Sequence, residues 1–87
     1  MSAVLVKDGC MRDVHPMNGR KFGEIELRSF VDGDFEVIRL NEKKALVVGR
    51  DAKEKGKAVN FIATAWLREV SNDYVAGAAL LVDREML

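Results

Sequence analysis

The stretch "YVAGAALLVD" (residues 74–83) decides how this chain folds. It is apolar at almost every position, long enough for a strand and far short of the ~20 residues that span a bilayer. A strand with one solvated face alternates apolar and polar residues, whereas a continuous apolar run is covered on both faces. Gly77 and the small Ala76, Ala78 and Ala79 let a helix come close to this backbone. The segment therefore reads as an inner strand, and the remaining residues must supply its neighbours and its cover.

Cover comes first from "NFIATAWLREV" (60–70). Val59, Ile62, Ala63, Trp66 and Val70 fall on one stripe at about 100° per residue, the period of a helix. Asn60 holds the N-cap slot, where its side-chain oxygen can accept from an orphan backbone N–H, and "SND" (71–73) ends the element. "FGEIELRSFV" (22–31) fits two periods. Ile25, Leu27, Ser29 and Val31 alternate like a strand, but Leu27, Phe30 and Val31 have helical spacing. Glu24 and Glu26 suit the first turn of a helix, and Gly33 suits its C-terminal cap, so a helix is expected.

The neighbours are two hairpins. "AVLV" (3–6) and "MRDVH" (11–15) flank a turn at Asp8-Gly9, while "DFEVIRL" (34–40) and "KALVVG" (44–49) flank "NEK". "RDAKEKGK" (50–57) has Ala52 as its one apolar residue and reads as a solvated loop. The order is ββαββαβ in one domain over residues 1–87. The expectation is an α+β fold, a mostly antiparallel sheet of about five strands with two helices on one face, the simplest way to bury these stripes.

Composition narrows the function classes. A chain of 87 residues makes one small domain, burying only about 60–65% of its unfolded surface. Its 48% hydrophobic content is too high for a disordered tail. The 14 basic and 14 acidic residues cancel, so no global field draws the protein to nucleic acid or an anionic membrane. Cys10 is the single cysteine. It forms no internal disulfide or thiolate zinc cluster, which favours a reducing, cytoplasmic setting. "MSAVLVKDGC" has no h-region of a signal peptide, and no apolar run is long enough to span a membrane. Nucleotide-loop, zinc-protease, EF-hand and serine-hydrolase motifs are absent, and no cofactor, metal site or catalytic set is expected.

"DVHPMNGRKFG" (13–23) holds the only histidine and the only proline. Histidine is the side chain type best suited to acid–base work near neutral pH, and Asp13 shares the strand face of His15, yet a general base also needs a nucleophile or bound water. The plainer reading is a strand end stopped by Pro16, followed by a turn at Asn18-Gly19. Cys10 lacks a clear excess of nearby cations and reads as structural or incidental. Glu36, between Phe35 and Val37, reads as a half-exposed carboxylate paired with Arg39 or a cross-strand Lys44. Phe61 lies off the core stripe beside Thr64 and Arg68, the composition of an interface anchor. Arg39, Lys43, Lys44, Arg50, Lys53, Lys55 and Lys57 outnumber Glu42, Asp51 and Glu54 in the span 39–57. That span is the one patch suited to phosphate, although it lacks aromatic stacking partners.

The segments "VHPMNGRKF", "VDGDFEVIRL" and "NDYVAGAALLVD" together resemble a domain-of-unknown-function family of phages, plasmids and other mobile elements. Members carry a His- or Tyr-Pro-x-Asn-Gly segment, then Val-Gly-Gly and Tyr-Ile-Glu, and late in the chain Asn-Asp-Tyr-x-x-Gly. These correspond to Val14 to Gly19, Val31 to Gly33, Phe35-Glu36, and Asn72 to Gly77. The family's Asn-Glu-Glu-Gly loop is replaced by Gly49 to Ala52, and only Asn60 remains of its Pro-Pro-Asn. The resemblance implies a mobile-element accessory protein and no reaction.

The expected function is a non-enzymatic module binding a protein partner, with His15, Asn18, Glu36, Asn60, Phe61 and Arg68 as candidate binding residues. Homodimerisation through a free sheet edge is a further expectation. One alternative is nucleic-acid binding through Lys43, Lys44, Arg50, Lys53, Lys55 and Lys57. Another is a small-ligand binder or hydrolase where His15, Asn18 and Asn60 converge.

Overall fold

The computed structural model describes residues 3–87. Five strands, β1 (Ala3–Lys7), β2 (Cys10–Val14), β3 (Phe35–Arg39), β4 (Lys44–Gly49) and β5 (Ala79–Asp83), form one sheet in the order β2-β1-β5-β4-β3. Every adjacent pair is antiparallel. Helices α1 (Glu24–Val31) and α2 (Phe61–Leu67) complete the expected α+β order. The apolar tail strand β5 is central, with Leu80 opposite Leu5 on one side and Val47 on the other.

The helices cover opposite faces of the sheet, not one. Ala3, Leu5, Ala45, Val47, Leu80 and Val82 pack with Leu27 and Val31 of α1. Leu46, Val48 and Ala79 point the other way and pack with Ala63 and Leu67 of α2. The cause lies in β4 and β5. Residues 45–48 are all buried, and consecutive strand residues point to opposite faces, so each face needs its own cover.

Helix α2 is also shorter than its periodicity suggests, and its buried stripe is rotated. Ala63, Thr64 and Leu67 are buried and Trp66 is half-buried, while Val59 and Val70 are 43% and 50% exposed. Thr64 takes a buried slot because its Oγ1 accepts the Val75 N–H at 2.9 Å, satisfying a donor that apolar cover would orphan. The N–H groups of Val70 and Ser71 both turn back to the Leu67 carbonyl at 3.0 Å, which closes the helix before residue 70.

Strand β5 begins at Ala79, five residues later than the apolar run implies. The backbone of 75–77 bonds instead to the segment leading into α2. Asn60 N–H donates to the Val75 carbonyl at 2.7 Å, and Gly77 N–H donates to the Ala58 carbonyl at 2.8 Å. Gly77 has φ +74, and a Cβ there would stand 3.5 Å from Ala52 Cβ and from the Lys57 side chain, so glycine suits both the backbone and the space.

Asp8 (φ 53) and Gly9 (φ 77) make the tight two-residue turn of the first hairpin. Helix α1 starts where the Glu26 carboxylate accepts from the N–H groups of Gly23 (3.0 Å) and Met17 (2.9 Å). It ends at left-handed Asp32 (φ 61) and Gly33. The chain finishes in a 3₁₀ turn, Arg84–Met86, that periodicity does not reveal. Its buried Met86 closes the α1-side core, and the Met86 carbonyl accepts from Phe22 N–H at 2.8 Å.

Candidate functional site

The "DVHPMNGRKFG" segment is a turn. Gly19 N–H donates to the Pro16 carbonyl at 3.0 Å. Asn18 Oδ1 accepts from the N–H groups of Arg20 (2.8 Å) and Lys21 (3.0 Å), so its acceptor is committed to local backbone. His15 is exposed and follows β2 at the end of the hairpin away from Asp8-Gly9.

Asn60 is structural. Its Oδ1 accepts from Ala63 N–H at 3.0 Å, and its Nδ2 donates to the carbonyls of Val6 (3.1 Å) and Gly77 (2.9 Å). One side chain thus ties α2, β1 and the approach to β5 together. Val6 lies opposite Met11 of β2, four residues before His15. Strand rise separates His15 from Asn60 by about 13 Å along the hairpin. His15, Asn18 and Asn60 therefore do not converge, and the site of the small-ligand or hydrolase alternative is not assembled.

Glu36 is exposed on the α2 side of edge strand β3, opposite Val48. The expected partnership with Lys44 is not formed, because Lys44 pairs with Asp83 directly across from it on β5. Phe61 is 79% exposed and Arg68 caps the far end of α2. Thr64 between them is buried, so the exposed stripe beside Phe61 is narrower than expected.

The basic span 39–57 is divided by the fold. Lys43 and Lys44 lie at one end of β4, and Arg50 to Lys57 lie beyond the other, about 17 Å away along the strand. Several of its charges are also spent internally. Lys53 pairs with Asp73 at 2.6 Å and Lys57 with Asp32 at 3.4 Å, and Arg50 donates to the Phe35 carbonyl at 3.3 Å. Lys43 and Lys55 make no ion pair among the described residues.

Two adjoining clefts surround the Asp8-Gly9 turn. One, of about 260 Å³, lies at the sheet end where the end of α1 meets the start of α2, with Phe30, Asp32, Lys57, Val59 and Phe61 on its walls. The other, of about 390 Å³, runs between the hairpin and α1. Lys7, Asp8 and Phe30 line both, so the two form one continuous surface. Phe61 and the half-exposed Val59 give that surface an apolar rim. Sequence reasoning reached Phe61 through its position off the helical stripe. It missed Lys7 and Phe30, which only the fold brings beside it.

No protein-family model, curated protein or solved structure matches this chain. Among the described residues, no group of three or more His, Cys, Asp or Glu side chains could hold a metal ion. No described helix is long and apolar enough to cross a membrane.

A separate cleft is lined by Lys53, Asp73 and Tyr74. Lys53 donates to Asp73, and the Tyr74 N–H adds a second bond at 2.8 Å; together they hold the Asp73 carboxyl below its ordinary 3.8. The Lys53 ammonium also sits 4.2 Å from the Tyr74 ring centroid. This clamp fastens the 50–57 loop to the loop before β5. A lowered folded-state pKa means that its contribution is complete above the ordinary value of 3.8 and is lost as pH falls below it. Amide exchange in the 53–57 loop, measured relative to β4, is expected to quicken below that pH. Asp73→Asn should show the faster exchange already at neutral pH. Equal loop protection in the two proteins would mean that the pair does not hold the loop.

Proposed function

We propose that this chain is a non-enzymatic interaction module that docks a protein partner at the cleft surface around Phe61. The exposure of Phe61 on the rim of a formed cleft carries this reading. An aromatic side chain that is 79% exposed adds little to folding, whereas aromatic anchors supply much of the energy of protein interfaces. Arg68 lies about two turns further along the same side of α2 and adds a cation at the periphery. The mobile-element family resemblance of the "VHPMNGRKF" and "NDYVAGAALLVD" segments supports a cytoplasmic accessory role in a phage or plasmid. The internal pairing of Lys44, Lys53 and Lys57 favours a protein partner over nucleic acid.

The test places a photo-crosslinking phenylalanine analogue at position 61 in the full chain, expressed in the host. A discrete crosslinked protein species is expected, and it should not form when the analogue stands at Val37 on the far sheet edge. Phe61→Ala should leave folding stability within about 0.5 kcal/mol, as for an exposed residue. It should also compete poorly against the crosslinking chain. Crosslinks only to nucleic acid, or none, would overturn the reading.

A further inference from the structure

We propose that the α1-facing side of the β1–β2 hairpin is a docking strip for an extended acidic segment of a protein partner, added as a strand along β2. This rests on the reading of the chain as a protein-binding module and specifies the partner's chemistry. In the hairpin register Leu5 stands opposite Arg12 and Lys7 opposite Cys10. Directly opposed residues share a face, and Lys7 and Arg12 are diagonal neighbours on it, about 7–8 Å apart, so two cations rise from one small area. That area forms one wall of the 390 Å³ groove, with Leu5 and Phe30 supplying its apolar surface and Ser29 standing on α1. Neither Lys7 nor Arg12 has an acidic partner among the described residues. Asp8 lines the groove only at the turn, and Asp13, opposite Val4, points to the other face of the sheet.

The backbone supplies the second half of the site. Strand β2 is a sheet edge. A two-residue turn makes Lys7 and Cys10 the closing hydrogen-bonded pair, so Arg12 and Val14 also bond toward β1. The N–H and C=O groups of Met11 and Asp13 therefore face outward, ready to pair with an added strand. Such a strand sets one of its residues opposite Arg12 in a non-hydrogen-bonded pair, where side chains approach more closely. An Asp or Glu there meets the guanidinium, and a second acid two residues along stands beside Cys10 within reach of Lys7.

Charge complementarity favours this occupant over the others. A second copy of the chain pairing antiparallel about Met11, Arg12 or Asp13 would set Arg12 against its Cys10, Arg12 or Val14, and none of these is an acid. A single-stranded nucleic acid would use the cations but also stacks its bases on open aromatic faces. The half-buried Phe30 ring instead packs edge-to-face on Phe22, with centroids 5.8 Å apart and planes at 80°.

The experiment selects random peptides displayed on phage against the immobilised full chain, then measures binding of the winners to Arg12→Glu and Lys43→Glu. The expected winners carry Asp or Glu alternating with β-branched residues. They should shift the amide resonances of Met11 and Asp13 and bind Arg12→Glu about tenfold more weakly, with Lys43→Glu unchanged. Basic or neutral winners, no winners, or equal binding to Arg12→Glu would overturn the proposal. Binding of a single-stranded oligonucleotide that is lost in Arg12→Glu would assign the strip to nucleic acid instead. A crosslink at position 61 that persists when this selection fails would remove the acidic strip and leave the interaction module standing.

Discussion

Asn60→Ala is expected to destabilise the protein by about 2–4 kcal/mol, a large share of the ~4–13 kcal/mol usual for a chain this long. The side chain makes three hydrogen bonds, to Ala63 N–H, the Val6 carbonyl and the Gly77 carbonyl. Losing an N-cap costs about 1 kcal/mol. Two partly buried carbonyls stripped of a donor add roughly 1 kcal/mol or more each. Urea unfolding with an unchanged m-value measures the sum. Asn60→Asp separates the two roles, because it keeps the capping oxygen and replaces the donor with a second oxygen facing two carbonyls. At neutral pH it should be at least as destabilising as alanine. The introduced carboxyl gains a hydrogen bond only when protonated, which raises its folded-state pKa. Part of the stability should therefore return as pH falls through that value. If Asn60→Ala costs under about 1 kcal/mol, only the cap matters and the ties to β1 and Gly77 contribute nothing.

Local signals in the sequence were reliable where the structure uses local physics. The Asp8-Gly9 turn, the Asn60 cap, the acidic first turn of α1 and the stop of α1 ahead of Gly33 each depend on residues a few positions apart. What escaped depends on partners far away in the chain. Asn60 is 54 residues from Val6, and no periodicity announces that bond. Lys53 and Lys57 look like free cations in "RDAKEKGK", but Asp73 and Asp32 reach them from 20 and 25 residues away. Thr64 breaks the apolar stripe in sequence because it is buried for its hydroxyl. The apolar run at 74–83 announced a strand covered on both faces, yet not where pairing starts, since Val75 and Gly77 give their backbone groups to the α2 side. Of the candidate site, Phe61 was legible as an off-stripe aromatic. The cleft beside it was not, because Lys7, Phe30 and Phe61 come from three separate elements.

Leu46→Ala and Leu80→Ala are each expected to cost about 2–5 kcal/mol, and the value of the pair lies in their opposite directions. Both side chains are fully buried, on adjacent strands of the sheet. Leu80 points into the core under α1, and Leu46 into the core under α2. With both helices on one face, one of these leucines would project toward solvent and its truncation would be almost silent. Covered on both sides, neither position can collapse freely, and each substitution leaves a cavity beside rigid sheet neighbours. The same contrast fixes the rotation of α2. Leu67→Ala, at 3% exposure, belongs with the costly group, while Val70→Ala, at 50%, should stay within about 0.5 kcal/mol. A costly Val70 and a silent Leu67 would rotate the helix back to the stripe drawn from periodicity. Phe61 would then turn away from the cleft, and the docking surface would lose its anchor.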